Sequence, residues 1–465
     1  MTFEKSVASS ASRRYGRTLL GLLFTINLLN YVDRLAVSGL LEPIRKDLNL
    51  TDAQLGRIAL AFLIPYSILP PVVGWIGDRS NRSRLIAWAI ALWSAATAIT
   101  GVTRSFGQLT VTRAVVGVGE ATYMTVAPSM VSDVYGSGTR GRAMSFFYTA
   151  SPVGSALGVI LAGLFASAYN WRVACMMVAL PGIVMTLVMS FFPEPKRGAL
   201  DAEQQSERPP LREAARSLLR NRPFLWLTLA YTVQVFAYNP VEFWLPTVLQ
   251  RDKGIPLVQA NTIYGVLVFV AGFLGPLLGG LFADMLIRRR RTVYYWICVA
   301  SALGSVLPIV GFVFLGRGVP LFSAVFVEVF LGNVSTGLVF AILMTIVIPG
   351  LRGTATAIIL TVMHLLGDGL SQPLIGQISS ALQSSGSSLF GLGAKFPILA
   401  QMARDQHLTL ALACVAAPSM FLSAWLFFLA IPRAPASPIG DGYAEGDLSV
   451  SDDSVMQVQL ARKTQ

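Results

Sequence analysis

The chain has 465 residues, of which 54% are hydrophobic and 13% charged, with a formal net charge of +12. A soluble domain carries about a quarter of charged residues, and a chain this apolar cannot hide its surface in a water-soluble globule of this size, so a bilayer is its natural solvent. The basic excess lies in short loops between apolar runs, which argues for the positive-inside bias of a membrane protein and against nucleic acid as a partner.

The chain opens on a polar stretch with Arg13, Arg14 and Arg17. The apolar run from Thr18 is too long for a signal-peptide core and shows no clear cleavage site, so it is read as a retained first helix. A spanning helix needs about 20 mostly apolar residues. Runs of that kind follow at 18–41, 54–76, 84–103, 107–132, 142–168, 172–193, 223–249, 257–283, 292–315, 319–348, 354–380 and 406–431. In lipid a helix satisfies its own backbone, and these runs lack the alternation of membrane strands. The fold class predicted is an all-α membrane protein with 12 transmembrane helices in two six-helix bundles.

The domains expected are an N-terminal bundle at 1–193, a cytoplasmic linker at 194–222, a C-terminal bundle at 223–431 and a disordered cytoplasmic tail at 432–465. With both termini in the cytoplasm, the inner segments hold 24 of the 36 Lys and Arg residues and the outer segments 10, which favours that orientation in a cell (inner or plasma) membrane. Arg34 and Arg113 remain, inside helices. Within the linker, Leu211 to Arg220 can form an amphipathic helix, either on the inner membrane surface or as a plain connector. The polar tail lacks the apolar residues of a packed core.

Matching signals mark two halves. Gly74-Trp-Ile-Gly-Asp78-Arg79-Ser-Asn-Arg82-Ser-Arg84 follows the second span, and Gly280-Leu-Phe-Ala-Asp284 with Arg288 to Arg291 follows the eighth. Arg140-Gly-Arg142-Ala143 opens the fifth span, and Arg352-Gly-Thr-Ala355 opens the eleventh. Glycine, acid and base at recurring spacing are what duplicated halves leave behind.

Charges inside spans carry the chemistry, because each ionised group at membrane depth is costly and needs a cavity or a partner. In the first span, Asn27, Asn30, Arg34 and Ser38 share one face, with Tyr31 and Asp33 beside it. Adjacent Asp33 and Arg34 point about 100° apart and serve different neighbours. In the fourth span, Arg113 and Glu120 share a face, and Gly117 and Gly119 permit close helix contact. Two acids and two bases can form a self-balancing network in which an acid has two protonation choices. The network is then either a proton-coupled switch or a static structural one.

In the second half, His364, Asp368 and Gln372 share a face, as do Gln234, Tyr238 and Glu242, with Glu242 placed at the outer rim. Glu328 is the remaining deep acid, either a site residue or a helix–helix hydrogen bond. The cavity so outlined is amphipathic, suited to a ligand with a charged head and an apolar body. Cys175, Cys298 and Cys414 indicate neither disulfide nor metal. Two histidines are too few for a metal cluster, and no phosphate-cradling loop followed by Lys-Ser/Thr is present. Neither an enzyme nor a cofactor is expected.

The loop Gly74 to Arg84 resembles the signature of the major facilitator superfamily. That resemblance implies the major facilitator fold and a gating role for Gly74, Asp78, Arg79, Arg82, Arg142 and Asp284, with Asp78 pairing with Arg140 or Arg142. The strings Ile26-Asn-Leu-Leu-Asn-Tyr-Val-Asp33-Arg34, Thr112-Arg-Ala-Val-Val-Gly-Val-Gly-Glu120 and His364-Leu-Leu-Gly-Asp368 resemble the Spinster family within it. The resemblance implies a transporter of amphipathic lipids such as sphingoid phosphates or lysophospholipids, with Asp33 and Glu120 as proton-responsive acids; alternating access of the two halves is predicted beside it, in a monomer. Arg34 and Arg113 become their partners or the anchor of an anionic head, with Asn30, Tyr31, His364, Asp368, Gln234 and Glu328 completing the network. A multidrug or organic-anion/sugar-acid antiporter, and a non-transporting membrane receptor, are the alternatives.

Overall fold

The computed structural model describes residues 2–197, 211–287, 292–385, 401–402 and 404–431. The expected tail 432–465, residues 198–210 of the linker and the run Arg288 to Arg291 lie outside the described residues. Within them the chain is helical and holds no strand.

In chain order the helices are α1 (Thr2–Leu48), α2 (Asp52–Ile68), α3 (Pro70–Gly77), α4 (Arg82–Thr100), α5 (Phe106–Val134), α6 (Ser137–Tyr148), α7 (Ala150–Ala168) and α8 (Trp171–Ser190). They continue with α9 (Leu211–Arg220), α10 (Arg222–Arg251), α11 (Leu257–Ile287), α12 (Val293–Phe314) and α13 (Val319–Ile346). Then come α14 (Arg352–Val362), a π-helical turn (Met363–Asp368), α15 (Gly369–Ser385) and α16 (His407–Ala430).

Local chemistry fixes several starts. Thr51 and Gln54 close a capping box on α2, and the side chains of Asn81, Ser105, Asn170 and Asn221 accept the first free amides of α4, α5, α8 and α10. The second predicted span is two helices, α2 and α3, bent by 44° where Pro70 and Pro71 remove backbone donors.

Nine helical segments among the described residues are long and apolar enough to cross a membrane, or ten with the bent pair α2–α3 as one. The protein is an integral membrane protein. Helices α5 and α10 fall outside that count because they carry the polar residues of the site. At 29 and 30 residues they still exceed the hydrocarbon thickness.

Helix α1 packs on α7, α4 on α5 and α8, and α2 on α5; in the second half α11 packs on α13 and α10 on α16. Across the halves, α7 meets α11, α2 meets α15 and α1 meets α10. Helix α9 forms as predicted at 211–220 and buries Ala214 and Leu218 against protein, while Leu219 is exposed.

Candidate functional site

Small residues let the site helices approach. A Cβ on Gly117 would lie 2.3 Å from the Phe62 carbonyl oxygen of α2, and one on Gly119 would lie 2.8 Å from that of Ala89 in α4. Helix α5 is thereby drawn between α2 and α4, which brings Glu120 and Arg113 to α1. Arg34 Nε donates to Glu120 Oε2 at 2.9 Å, and its Nη2 stands 2.8 Å from the same oxygen. The Arg34 guanidinium also lies over the rings of Tyr66, Tyr31 and Phe62 at 4.4, 5.0 and 5.1 Å. The Arg113 guanidinium also lies over the Phe62 ring, at 5.4 Å.

These groups border a cavity of about 340 Å³ between the halves. Arg34, Arg113, Tyr31 and Ser38 line it, whereas Asp33 and Glu120, 2% and 0% exposed, stand behind its wall. The arginines thus reach the hollow and the acids back them. Helix register decides this, since Glu120 points from α5 at Arg34 rather than past it. Asn30 and Asn27 are likewise fully buried, and Asn27 Nδ2 donates to the Phe147 carbonyl at 2.9 Å. Among the described residues, Arg113 Nη1, Asp33 Oδ1 and Glu120 Oε1 have no hydrogen-bond partner.

From the second half, Gln234, Tyr238 and Glu242 of α10 line the cavity, as do His364, Asp368 and Gln372. Both predicted stripes thus face one space. His364 Nδ1 lies 2.8 Å from Asp368 Oδ2, Asn239 donates to the other Asp368 oxygen, and Gln234 donates to Ser335. The π-helical turn that carries His364 and Asp368 is a common mark of functional sites. Glu242, expected at the rim, is a wall residue: Tyr238 OH donates to its Oε1 at 2.6 Å. Glu328 is fully buried. His364 packs edge-on against Tyr66 of the first half, ring centroids 5.4 Å apart.

At one end a polar cluster joins the halves. Arg251 Nη2 lies 2.8 Å from Glu42 Oε2, and its Nη1 lies 2.8 Å from Asp52 Oδ2, which also accepts from Ser379 at 2.6 Å. His407 Nε2 stands 3.7 Å from Asp52. Sequence reasoning missed this cluster, along with Tyr66, Asn239 and Asn333. Glu42 and Asp52 beside basic residues near the predicted outer ends of spans were the sole sign of it.

At the opposite end, Arg82 pairs with Asp133 at 2.6 Å and Glu194 at 2.8 Å. Asp78 is exposed and engages Arg197 through its main-chain carbonyl. The expected pairing of Asp78 with Arg140 or Arg142 is not formed: Arg140 donates to the Tyr135 and Ser132 carbonyls, and Arg142 is exposed. The end of α3 aims Asp78 outward, so the motif's ion pairs run through Arg82. Arg79 folds over Trp75 at 4.3 Å, Asp284 is exposed, and Gly74 meets nothing closer than Thr125, at 3.9 Å from a built Cβ.

The family model of the Major Facilitator Superfamily matches residues 23–371. Protein spinster homolog 1 of Xenopus tropicalis is 33% identical over 415 residues, covering 83% of this chain and 77% of the relative. Protein spinster of Drosophila melanogaster is 31% identical over 384 residues, covering 80% and 63%. A crystal structure of a bacterial homolog to the human lysosomal transporter Spinster, inward-facing and unoccupied, superposes with a TM-score of 0.78 at 22% identity, covering 90% of this chain and 98% of that one. At that identity the superposition speaks for the fold alone.

Proposed function

Because the chain belongs to the Spinster family of the major facilitator superfamily, we propose that it moves an amphipathic, lipid-like substrate by alternating access, coupled to protons. The observation that carries this is the Arg34–Glu120 pair at the edge of an interhalf cavity, with Arg113 and Asp33 beside it. Two bases and two acids balance when all are ionised. Protonation of Glu120 or Asp33 leaves one guanidinium without its counter-charge, and that guanidinium can take an anionic head group by charge-assisted hydrogen bonds. Leu35, Ile58, Phe62, Phe243 and Val268 give the same cavity an apolar wall for the body of the ligand.

The halves then rock about this site. Closure of the Glu42–Asp52–Arg251 end is one state, and its separation opens the other. The loop charge bias puts both termini in the cytoplasm, and the working unit is a monomer in a cell membrane.

The test is uptake of a lysophospholipid into vesicles reconstituted with the protein, with and without a pH gradient. Gradient-dependent uptake is expected in the wild type, and a folded but gradient-insensitive protein in the Asp33→Asn, Glu120→Gln double variant. Full pH-dependent uptake in that variant rejects the coupling. The amides of Gln234, Asn239, Asn333 and Gln372 on the cavity wall favour a second reading, an antiporter of polar organic anions such as sugar acids. Competition by sugar acids, with none by lysolipids, selects it.

A further inference from the structure

Helix α9 turns one charged face away from the rest of the protein. Its Ala214 and Leu218 are buried, and α10 and α14 pack against it. At about 100° per residue, Arg212, Arg216 and Arg220 fall on the opposite side, and all three are exposed. Arg222, the first residue of α10, is exposed beside them. Among the described residues none of these four side chains is ion-paired, and Glu213 is the one acid of the helix. Like charges at four-residue steps repel one another, so the face is short of counter-charge. A lipid surface suits it poorly. An interfacial helix turns its apolar side to lipid, and here that side is spent on protein, with Leu219 left exposed.

The end of α16 lies beside this helix. Thr409, near the start of α16, donates to Asp252 just past the end of α10 at 2.7 Å, and Ser423 donates to the Ala230 carbonyl at 3.0 Å. The two helices are therefore antiparallel. Ala430 lies about 10 Å beyond Ser423 along α16, and Arg222 about 12 Å back from Ala230 along α10. Helix α16 thus ends level with the start of α10, which directly follows α9. From Ala434 to Ala461 the chain that continues from α16 carries Asp441, Glu445, Asp447, Asp452 and Asp453 and no Lys or Arg. We propose that this acidic segment, 441–453, docks on the Arg212–Arg216–Arg220 face of α9. The chain from Ile431 to Asp441 reaches up to about 35 Å, and α9 is about 15 Å long, so the acids arrive with length to spare. Residues 198–210 are the poorer complement, with Asp201, Glu203 and Glu207 offset by Arg208.

The experiment is a distance measurement between spin labels on the full chain in phosphatidylcholine nanodiscs. Labels are placed through Ser217→Cys on α9 and Ser449→Cys in the acidic segment, with the exposed Cys414 removed as Cys414→Ser. The expected result is a short-distance population at low ionic strength that shrinks toward 1 M salt, where screening acts over about 3 Å. Combined Arg212→Gln, Arg216→Gln and Arg220→Gln should lower the ratio of docked to undocked chains roughly tenfold, the scale of three exposed ion pairs. Reversal of the three arginines to Glu should abolish the short population, and Asp441→Lys, Glu445→Lys and Asp447→Lys added to it should restore it. The salt titration needs none of these charge substitutions, so misfolding of a variant does not imitate the result. Distances that ignore salt, or a salt response that survives the triple Gln variant, overturn the docking. A short population that appears only after Asp201→Asn, Glu203→Gln and Glu207→Gln gives the face to residues 198–210 and overturns it. So does a Ser217→Cys label that is immobilised only when phosphatidylglycerol is added, which gives the face to anionic lipid.

Discussion

Arg34 has one carboxylate partner and three aromatic neighbours, and Glu120 is fully enclosed. Removing one member of such a pair leaves the other buried and uncompensated. Glu120→Ala should therefore lower stability by about 3 kcal/mol, read as a drop in thermal unfolding temperature in detergent. Glu120→Gln, which keeps an acceptor for Arg34, should cost less. Arg34→Lys retains charge but loses the planar guanidinium that stacks on Tyr66, so transport should fall while folding is kept.

Outside the spans, burial works against the Glu194 carboxylate, but hydrogen bonds from Arg82 and Arg197 outweigh it and hold the group below its ordinary range. Its value is lower folded than unfolded, so its contribution is complete above the usual carboxylate range and is lost as pH falls through the lowered value. Hydrogen exchange at 191–197, corrected for intrinsic rates, should rise as pH drops below about 4, and Glu194→Gln should flatten that dependence.

At the scale of elements, the contact of α5 with α2 and α4 depends on two glycines. Gly117→Ala forces a Cβ against a main-chain carbonyl that cannot swing aside, and overpacking of this kind costs about 1–3 kcal/mol. Gly107→Ala on the same helix meets nothing within 4 Å and is the control. Thermal unfolding should separate the two, and equal behaviour would mean that α5 is not tightly seated. The Gly117 and Gly119 contacts were legible in the sequence because small residues beside buried charges have few other uses in a membrane helix. The bend at Pro70 was less legible: proline flags a break, yet the apolar run continues across it.

For the whole molecule, Arg251 links acids that lie 209 and 199 residues away in the chain. It bonds α10 to α1 and α2, so it holds one end of the two halves together. Arg251→Met should weaken that closure and shift the population toward separation of this end, read as longer distances between spin labels placed on either side of it. An unchanged distance distribution would show that the apolar contacts of α7 with α11 and α2 with α15 suffice for closure.

The sequence by itself determined the solvent, the helices, the doubled order of motifs and the identity of the charged residues on α1 and α5. These follow from runs and periodicities within one helix, which are local properties of the chain. Tertiary structure alone decided that the arginines line the cavity while the acids back them, that Glu242 is a wall residue, that Arg82 rather than Asp78 forms the ion pairs of its loop, and that Arg251 fastens the halves. Each of these depends on the rotation and register of one helix against another, and packing of glycines, rings and caps sets those quantities without leaving a period in the sequence.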